Sequence, residues 1–518
     1  MSNILLARVH TMYSRWQRMS TPPLGIMYLA AVLKAAGHEV RAIDGILDPN
    51  WQTSLLRLTA DWRPDVVGVS LLSLDIDRAA DTVRSLREAG SSAFFVGGGP
   101  GATHADATTK AYLDFDAVVH GEGEQALLDL LAARTAGRDL RSVAGLSIKT
   151  GGEYHITQSR PPIADVDALP FPDTEVLPLS QYFGKPSMDL MFRHPRWGVI
   201  MTSRSCPYNC LYCAHAFGRG YRPRSAANVM HEIDTMVERY DIRELQFVDD
   251  IFNYDRDRTV AICEELLARP YRLHLVFPNG LRLDQLDHPL IRLMVRAGLD
   301  RLLAPIETGS PRLQREIGKN LDLEKSLAAI REMKRLGVFV RLTVMLGFPG
   351  ETYAEMKQTA RVAFSVPAQL VSVTQVAPLP GSAFGRKFSY FGSPGEWGHY
   401  NYIYTKINLS SVPLKKITRL KKSIYLHILA PHRLWWLLRV IPKRNILFYF
   451  QVFAAKLWDS TPGASWNLPQ RLRKKIRNRL RGAEADPRPV QQSCSPDDND
   501  NHPKSANHES RKAAYRAG

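Results

Sequence analysis

Cys206, Cys210 and Cys213 stand in the string SRSCPYNCLYCAH as CxxxCxxC, directly after the strand-like run GVIMT. Three thiolates in one short loop can each ligate one iron of a four-iron, four-sulfur cluster. The other two of the five cysteines are badly placed to serve the fourth iron: Cys263 lies in the helical run TVAICEELLA and Cys494 in a polar tail. An iron left open takes an exchangeable ligand, as a cluster used for substrate chemistry requires. A zinc ion is the alternative that spacing leaves open, with His215 as the fourth ligand two residues beyond Cys213. In both readings the cysteines form a ligand set and not a disulfide framework, which points to a reducing cytoplasm.

Such a loop needs elements that hold it in place, and these are legible as two separate βα rhythms. The first alternates ILLARV, HEVRAID, DVVGVSLLS, SAFFVGGG and AVVHGEGE with helical runs, and predicts an open, mostly parallel, Rossmann-like sheet over residues 1–147. A Pro-rich linker covers 148–195. The rhythm then restarts with GVIMTSRSCP, ELQFVDDI, LHLVFPNGLR, LDRLLAPIETG, FVRLTVMLGFPG and LVSVTQVAPLPGS. Six strands predict a partial (β/α)6 barrel over 196–387, with its chemistry at the carboxyl ends of the strands. The class is therefore α/β, followed by a mainly helical region over 388–481 and a disordered tail over 482–518, too poor in large apolar residues to offset its ordering entropy.

At the cysteine loop the chain resembles the radical S-adenosylmethionine (SAM) superfamily, whose signature is CxxxCxΦC with an aromatic residue, here Tyr212, before the third cysteine. The likeness extends through FVDDIF, IETGSPRLQREIGK and MLGFPGET, roughly Gly198 to Lys387. It implies that Cys206, Cys210 and Cys213 bind a 4Fe-4S cluster whose open iron chelates SAM. Reductive cleavage of SAM would then give a 5'-deoxyadenosyl radical. A zwitterionic nucleoside wants polar groups at the strand ends. Asp249 or Asp250 would accept from its ammonium, Arg282 would pair with its carboxylate, and Glu307 would accept from its ribose. Gly347, Pro349 and Gly350 form a tight turn that admits close backbone approach.

The first rhythm places Ser70 and Leu72 on one turn and Gly97, Gly98 and Gly99 on the next, with Gly121, Glu122 and Gly123 following in VVHGEGE. Small residues at the ends of adjacent parallel strands let a bulky ligand approach the backbone. A nucleotide-binding or receiver-like domain shares these features. Taken with PPLGIMYLAAVLKAAGHEV, however, they resemble the cobalamin-binding domain that precedes the radical barrel in one large subclass. The DxHxxG motif that ligates cobalt from below is missing, and the chain reads PPLGIMY in its place. A lower ligand from that motif is therefore not expected.

The net charge of +17 is concentrated late: between Asn401 and Leu480 seventeen Lys or Arg face one acid, Asp459, a net of +16. This segment also carries repeated Trp, Tyr and Phe, yet no apolar run approaches the roughly 20 residues of a membrane span. It reads as an interfacial surface, a lid over a hydrophobic substrate, or a packed helical cap with a basic face. No RNA-binding module is apparent, so nucleic acid is not the expected partner. The start NILLARVH lacks a signal-peptide pattern, and export is not expected. The expected setting is the cytoplasm, with possible contact at the inner face of the membrane.

The resemblance implies methylation of an unactivated carbon, with one SAM remethylating cobalamin and a second supplying the radical. An oxidative cyclase of the anaerobic magnesium-porphyrin type shares the layout, and a non-catalytic cobalamin or redox sensor is the rival outside enzymes. The implied partners are a small-molecule substrate, such as a lipid, terpenoid or porphyrin, and an electron donor such as flavodoxin or ferredoxin. Replacing Cys206, Cys210 or Cys213 by Ala is expected to abolish cluster assembly, whereas Cys263→Ala and Cys494→Ala leave iron content intact. Iron analysis after anaerobic reconstitution checks this, and equal iron loss from Cys263→Ala would remove the three-ligand assignment.

Overall fold

The computed structural model describes residues 1–10, 20–185, 187–189, 192–388, 397 and 407–428. All of the described residues fall in one compact body. Most of the basic aromatic segment, the tail and Cys494 lie outside the described residues.

Strands β1 (Asn3–Arg8), β2 (Glu39–Asp44), β3 (Val66–Ser70), β4 (Phe94–Gly98) and β5 (Ala117–Val119) form a parallel sheet in the order β2-β1-β3-β4-β5. Helices cover both of its faces, so the central strands read as unbroken apolar runs; Ile4, Leu5, Leu6 and Ala7 of β1 are all buried. α1 (Leu24–Ala35) and α6 (Glu124–Thr135) pack one face through Ile26, Ala30 and Leu127. The other face takes α2 (Trp51–Trp62), α3 (Ile76–Glu88) and α5 (Ala107–Leu113), with the short α4 (Pro100–Thr103) beside β4.

The sheet continues past residue 147, where the sequence placed the boundary. β6 (Leu146–Thr150) and β7 (Glu153–Ile156) add an antiparallel hairpin to its edge. The turn between them is Gly151-Gly152, both with positive φ (60° and 89°), the conformation that a tight two-residue hairpin demands. The string KTGGE thus carried a hairpin signal inside the stretch assigned to the linker.

The second unit has six parallel strands in chain order: β8 (Trp197–Ile200), β11 (Glu244–Phe247), β12 (His274–Phe277), β13 (Leu299–Glu307), β14 (Phe339–Leu346) and β15 (Leu370–Gln375). A small ribbon, β9 (Ser203–Arg204) with β10 (Arg222–Pro223), follows β8. The crossovers are α7 (Ala226–Tyr240), α8 (Arg256–Ala268), α9 (His288–Ala297), α10 (Pro311–Glu316) with α11 (Leu323–Arg335), and α12 (Tyr353–Ser365). Ser225, Asp255, Asp287, Asp322 and Thr352 cap them, each side chain accepting a first-turn amide that would otherwise lack a partner. After β15 come α13 (Ala383–Phe388) and α14 (Leu414–Ile428).

α14 is the described part of the basic segment. Ile417, Leu420, Ile424 and Tyr425 sink into the barrel core, while Lys415, Lys416 and Arg419 stay exposed. The Tyr425 hydroxyl donates to the Val373 carbonyl (3.0 Å) and accepts from its amide (3.2 Å), satisfying an edge strand.

The amino-terminal mouth of the barrel is closed by charge. Arg301 on β13, its side chain 3% exposed, donates to Asp189 of the linker (2.7 Å), Glu244 of β11 (2.5 Å) and its neighbour Asp300 (2.5 Å). Glu244 also accepts from the Arg193 amide (2.7 Å), which ties the linker across the floor. Removing one partner from such a cluster strands buried charge, at a cost of about 3–5 kcal/mol. Arg301→Met is expected to lower stability by that order at neutral pH. The deficit should shrink as pH falls, because protonation removes the stranded negative charge, led by Glu244, whose carboxyl burial already raises; denaturant midpoints at several pH values check this. A deficit that did not vary with pH would mean that packing, not charge, carries the effect.

Candidate functional site

The ribbon pairs Arg204 with Arg222 and Ser203 with Pro223, and the cysteine loop extends from its open end. The loop is pinned from several sides. Ser205 takes a left-handed φ of 67° and donates through its hydroxyl to the Gly218 carbonyl (2.7 Å). The Leu211 amide donates to Ile317 at the end of α10 (2.9 Å), and Leu211 accepts from the Phe384 amide of α13 (3.0 Å). Gly318 must be glycine: its φ is 69° and an added Cβ would lie 2.6 Å from the Asn209 carbonyl.

Cys206 and Cys210 are half-buried and Cys213 is exposed, and none forms a disulfide. Surrounding protein atoms raise the Cys206 thiol, and although Cys213 keeps an exposed surface, crowding by protein around it, with Asp250 and the other two cysteines, pushes it up to about 12. Thiols so crowded with negative neighbours suit a cationic metal centre. Among the described residues no three His, Cys, Asp or Glu side chains are placed to hold a single metal ion. A zinc site would need Cys206, Cys210, Cys213 and His215 to meet one ion at about 2.0–2.3 Å. A four-iron cube asks for less convergence, because each thiolate takes its own iron.

Around this loop the carboxyl ends of the strands present acceptors that lack donors. Asp249, after β11, is fully engaged at Oδ1 by the Thr202 amide (3.0 Å), the Thr202 hydroxyl (2.8 Å) and the Ser203 hydroxyl (2.6 Å). Its Oδ2 is buried without a partner among the described residues. Asp250 opens toward the neighbouring cavity, where crowding by protein and the Asp249 charge push its carboxyl up to about 6. Glu307 ends β13 with a strained φ of 64°; its Oε1 accepts from Lys319 (3.4 Å) and its Oε2 is a second buried orphan. Glu351 accepts the Gly347 and Phe348 amides at Oε2 (2.7 and 3.0 Å), which fixes the turn after β14, and its Oε1 is a third. Burial raises the Glu351 carboxyl to about 7. Tyr212 packs edge-on against Phe348, with ring centroids 5.9 Å apart. Unmatched acceptors fit a ligand that brings an ammonium and hydroxyl groups.

Arg282 corrects the sequence reading. Its guanidinium is held by Asp284 (2.7 and 3.1 Å) and by the Lys319 and Asn320 carbonyls (2.7 and 2.8 Å), and lies 4.2 Å over the Tyr208 ring. With these contacts made it braces the segment after α10 against the cysteine loop and does not present a free fork to a carboxylate. Lys319 and Glu351 are the site residues that sequence reasoning missed; both lie in quoted strings, REIGK and GFPGET, without marking themselves chemically.

At the carboxyl edge of the first sheet lies a cavity of about 480 Å³. Ser70, Leu72, Gly98, Gly99, Gly121, Glu122 and Gly123 line it. An added Cβ at Gly98 or Gly121 would meet nothing within 4 Å, so these glycines leave room for a ligand. An apolar slot continues between the sheet and its helices, with Leu6, Gly68, Val96 and Val119 on one wall and Ile26, Leu29 and Leu127 on the other. Gly97 does not line it: a Cβ there would lie 2.4 Å from the Phe115 ring on the opposite face, so its smallness serves packing. Pro23 and Gly25 of PPLGIMY reach the wall. The one imidazole on the described lining is His10, whose pKa burial and Arg8 lower. Ala216, Phe217 and Asp250 of the second unit close the cavity, so this space and the cysteine loop share a boundary.

The Glu122 carboxylate is itself turned away from ligand chemistry. It accepts from Arg204 (2.7 Å), from Arg222 (2.8 and 2.9 Å) and from the Ile163 amide (2.7 Å). Glu124 accepts from Arg204 as well (2.5 Å).

The model of the B12 binding domain matches residues 18–131, and that of the radical SAM superfamily matches 200–363. An uncharacterized methyltransferase of Pyrococcus horikoshii is 28% identical over 415 residues, covering 78% of this chain and 87% of that protein. The anaerobic magnesium-protoporphyrin IX monomethyl ester cyclase of Rubrivivax gelatinosus is 26% identical, covering 74% and 69%. The solved structure of OxsB, a cobalamin-dependent SAM radical enzyme with aqua-cobalamin and SAM bound, shares the fold with a TM-score of 0.69 at 16% identity, covering 93% of this chain and 75% of that one.

Gly98→Val is expected to weaken cobalamin binding at least tenfold, read by absorbance titration, while leaving thermal unfolding unchanged. Gly97→Val should do the reverse of the second outcome, destabilising the sheet by about 1–3 kcal/mol through the clash with Phe115. Unweakened binding by the Gly98 variant would move the ligand elsewhere.

Proposed function

We propose, on the premise that this chain is a cobalamin-dependent radical SAM enzyme of methyltransferase-like type, that it methylates an unactivated carbon of a small hydrophobic molecule. The observation that carries this reading is the cavity whose wall passes from Gly98 and Gly121 to Phe217 and Asp250, which supports a corrinoid site beside the cysteine loop. When bound, cluster and SAM supply a means of attacking an unactivated C–H bond, and the corrinoid supplies the methyl group. Cys206, Cys210 and Cys213 would hold the cluster. Glu307 Oε2 would accept from the ribose, and Asp249 or Asp250 from the ammonium. The turn fixed by Glu351 would offer the backbone at Gly347, and Tyr212 would line the same pocket. Ser70, Leu72, Gly98, Gly99, Gly121 and Gly123 would border the corrin, with the apolar slot taking its aromatic tail. Asp250, near 6, is the wall group able to gain or lose a proton close to neutrality.

The likeness to the magnesium-protoporphyrin cyclase supports a second outcome, oxidative ring formation with the same two cofactors. A lipid, terpenoid or porphyrin substrate and a flavodoxin or ferredoxin donor complete the proposal. Among the described residues no helix is long and apolar enough to cross a membrane. The outward Lys415, Lys416 and Arg419 of α14 are consistent with a peripheral contact to anionic lipid. Anaerobic reconstitution with extracts of a deletion strain is expected to yield a product one methylene unit heavier, with 5'-deoxyadenosine and S-adenosylhomocysteine formed alongside. Loss of hydrogen or gain of oxygen would select the cyclase outcome, and absence of 5'-deoxyadenosine from reduced protein would sink both.

A further inference from the structure

The cysteine loop is held at both ends by one carboxylate. Arg204 and Arg222 face each other across the ribbon from which the loop extends, and Glu122 accepts from both. Glu124 takes the remaining arm of Arg204. The side chains of Arg204, Glu122 and Glu124 are 3%, 5% and 7% exposed, so the pairs are shielded from water and salt. The Arg204 guanidinium also lies 5.3 Å from the Tyr28 ring and 5.4 Å from the Phe217 ring. Phe217 belongs to the cysteine loop and Tyr28 to α1, so the two rings come from opposite sides of the boundary.

The same segment, Gly121 to Glu124, is a wall of the cavity, and so are Ala216 and Phe217 of the loop. A ligand filling the cavity therefore bears on the residues that clamp the loop and on the loop itself. Ser205, the residue between Arg204 and Cys206, is in the left-handed region, a conformation that persists only where its surroundings enforce it. Order in the loop and order in the wall are thus set by one group of contacts.

We infer that Arg204 is a positioning residue through which occupation of the corrinoid cavity and assembly of the cluster loop stabilise each other. This rests on the cofactor reading above and adds to it a coupling between the two sites. Coupling is reciprocal: if the assembled cluster tightens cobalamin binding by some factor, bound cobalamin favours cluster retention by the same factor.

The test titrates hydroxocobalamin into the full chain, with and without reconstituted cluster, following absorbance anaerobically. The wild-type chain is expected to bind about tenfold more tightly when the cluster is present, within the usual range of coupling between sites. In Arg204→Gln and Glu122→Gln this ratio should fall toward one while both cofactors still bind, and Arg204→Lys should restore part of it. Circular dichroism identifies any variant that fails to fold; the wild-type ratio then decides alone. A wild-type ratio near one, or a ratio unchanged in the folded variants, overturns the coupling and leaves the cofactor reading standing. Failure of cobalamin to bind any form overturns the cofactor reading, and the coupling with it.

Discussion

A buried carboxylate that accepts from two arginines on another unit is an expensive contact to separate. Pulling Glu122 from Arg204 and Arg222 would leave charge of both signs in surroundings that cannot solvate it. The N-terminal sheet and the cysteine loop are for that reason held in one orientation, and everything that the site can do follows from it. The pair need not add net stability compared with apolar packing. Its effect is to specify geometry, because guanidinium and carboxylate bond well in few arrangements.

A second cluster of charge works at the other end of the barrel. Arg301, Asp189, Glu244 and Asp300 seal the floor, and the linker supplies Asp189 to that seal. With the floor closed, ligand access is left to the carboxyl ends of the strands. There the polar groups are arranged in the opposite way: Asp249, Glu307 and Glu351 each keep one buried oxygen without a donor. At the floor the carboxylates are matched by Arg301, whereas at the mouth three carboxylates each keep an oxygen without a donor among the described residues, a difference that suits the mouth to binding.

The described part of the basic segment shows how one sequence can serve two demands. α14 turns its apolar residues into the barrel and satisfies the edge of β15 through Tyr425, while its lysines face outward. For these residues the packed-cap reading and the charged-surface reading are two faces of one helix.

The sequence by itself determined what depends on near neighbours. The CxxxCxxC loop, the βα rhythm of both units and, apart from Gly97, the small residues at the ends of β3, β4 and β5 are local patterns, and the structure places them at strand ends as periodicity predicts. The Gly151-Gly152 hairpin is equally local, but its Pro-rich flanks mask it. What only the tertiary structure decided involves pairs far apart in the chain. Glu122 meets Arg204 across 82 residues, and Arg282 meets the carbonyls of Lys319 and Asn320 across 37 and 38. No local pattern says that Glu122 is spent on arginines, that Arg282 is already occupied, or that Gly97 faces Phe115 while Gly98 faces the cavity. Nor does it separate Asp249, locked by Thr202 and Ser203, from Asp250, open to the cavity. Adjacent residues of identical chemistry differ only in which way the folded backbone turns them.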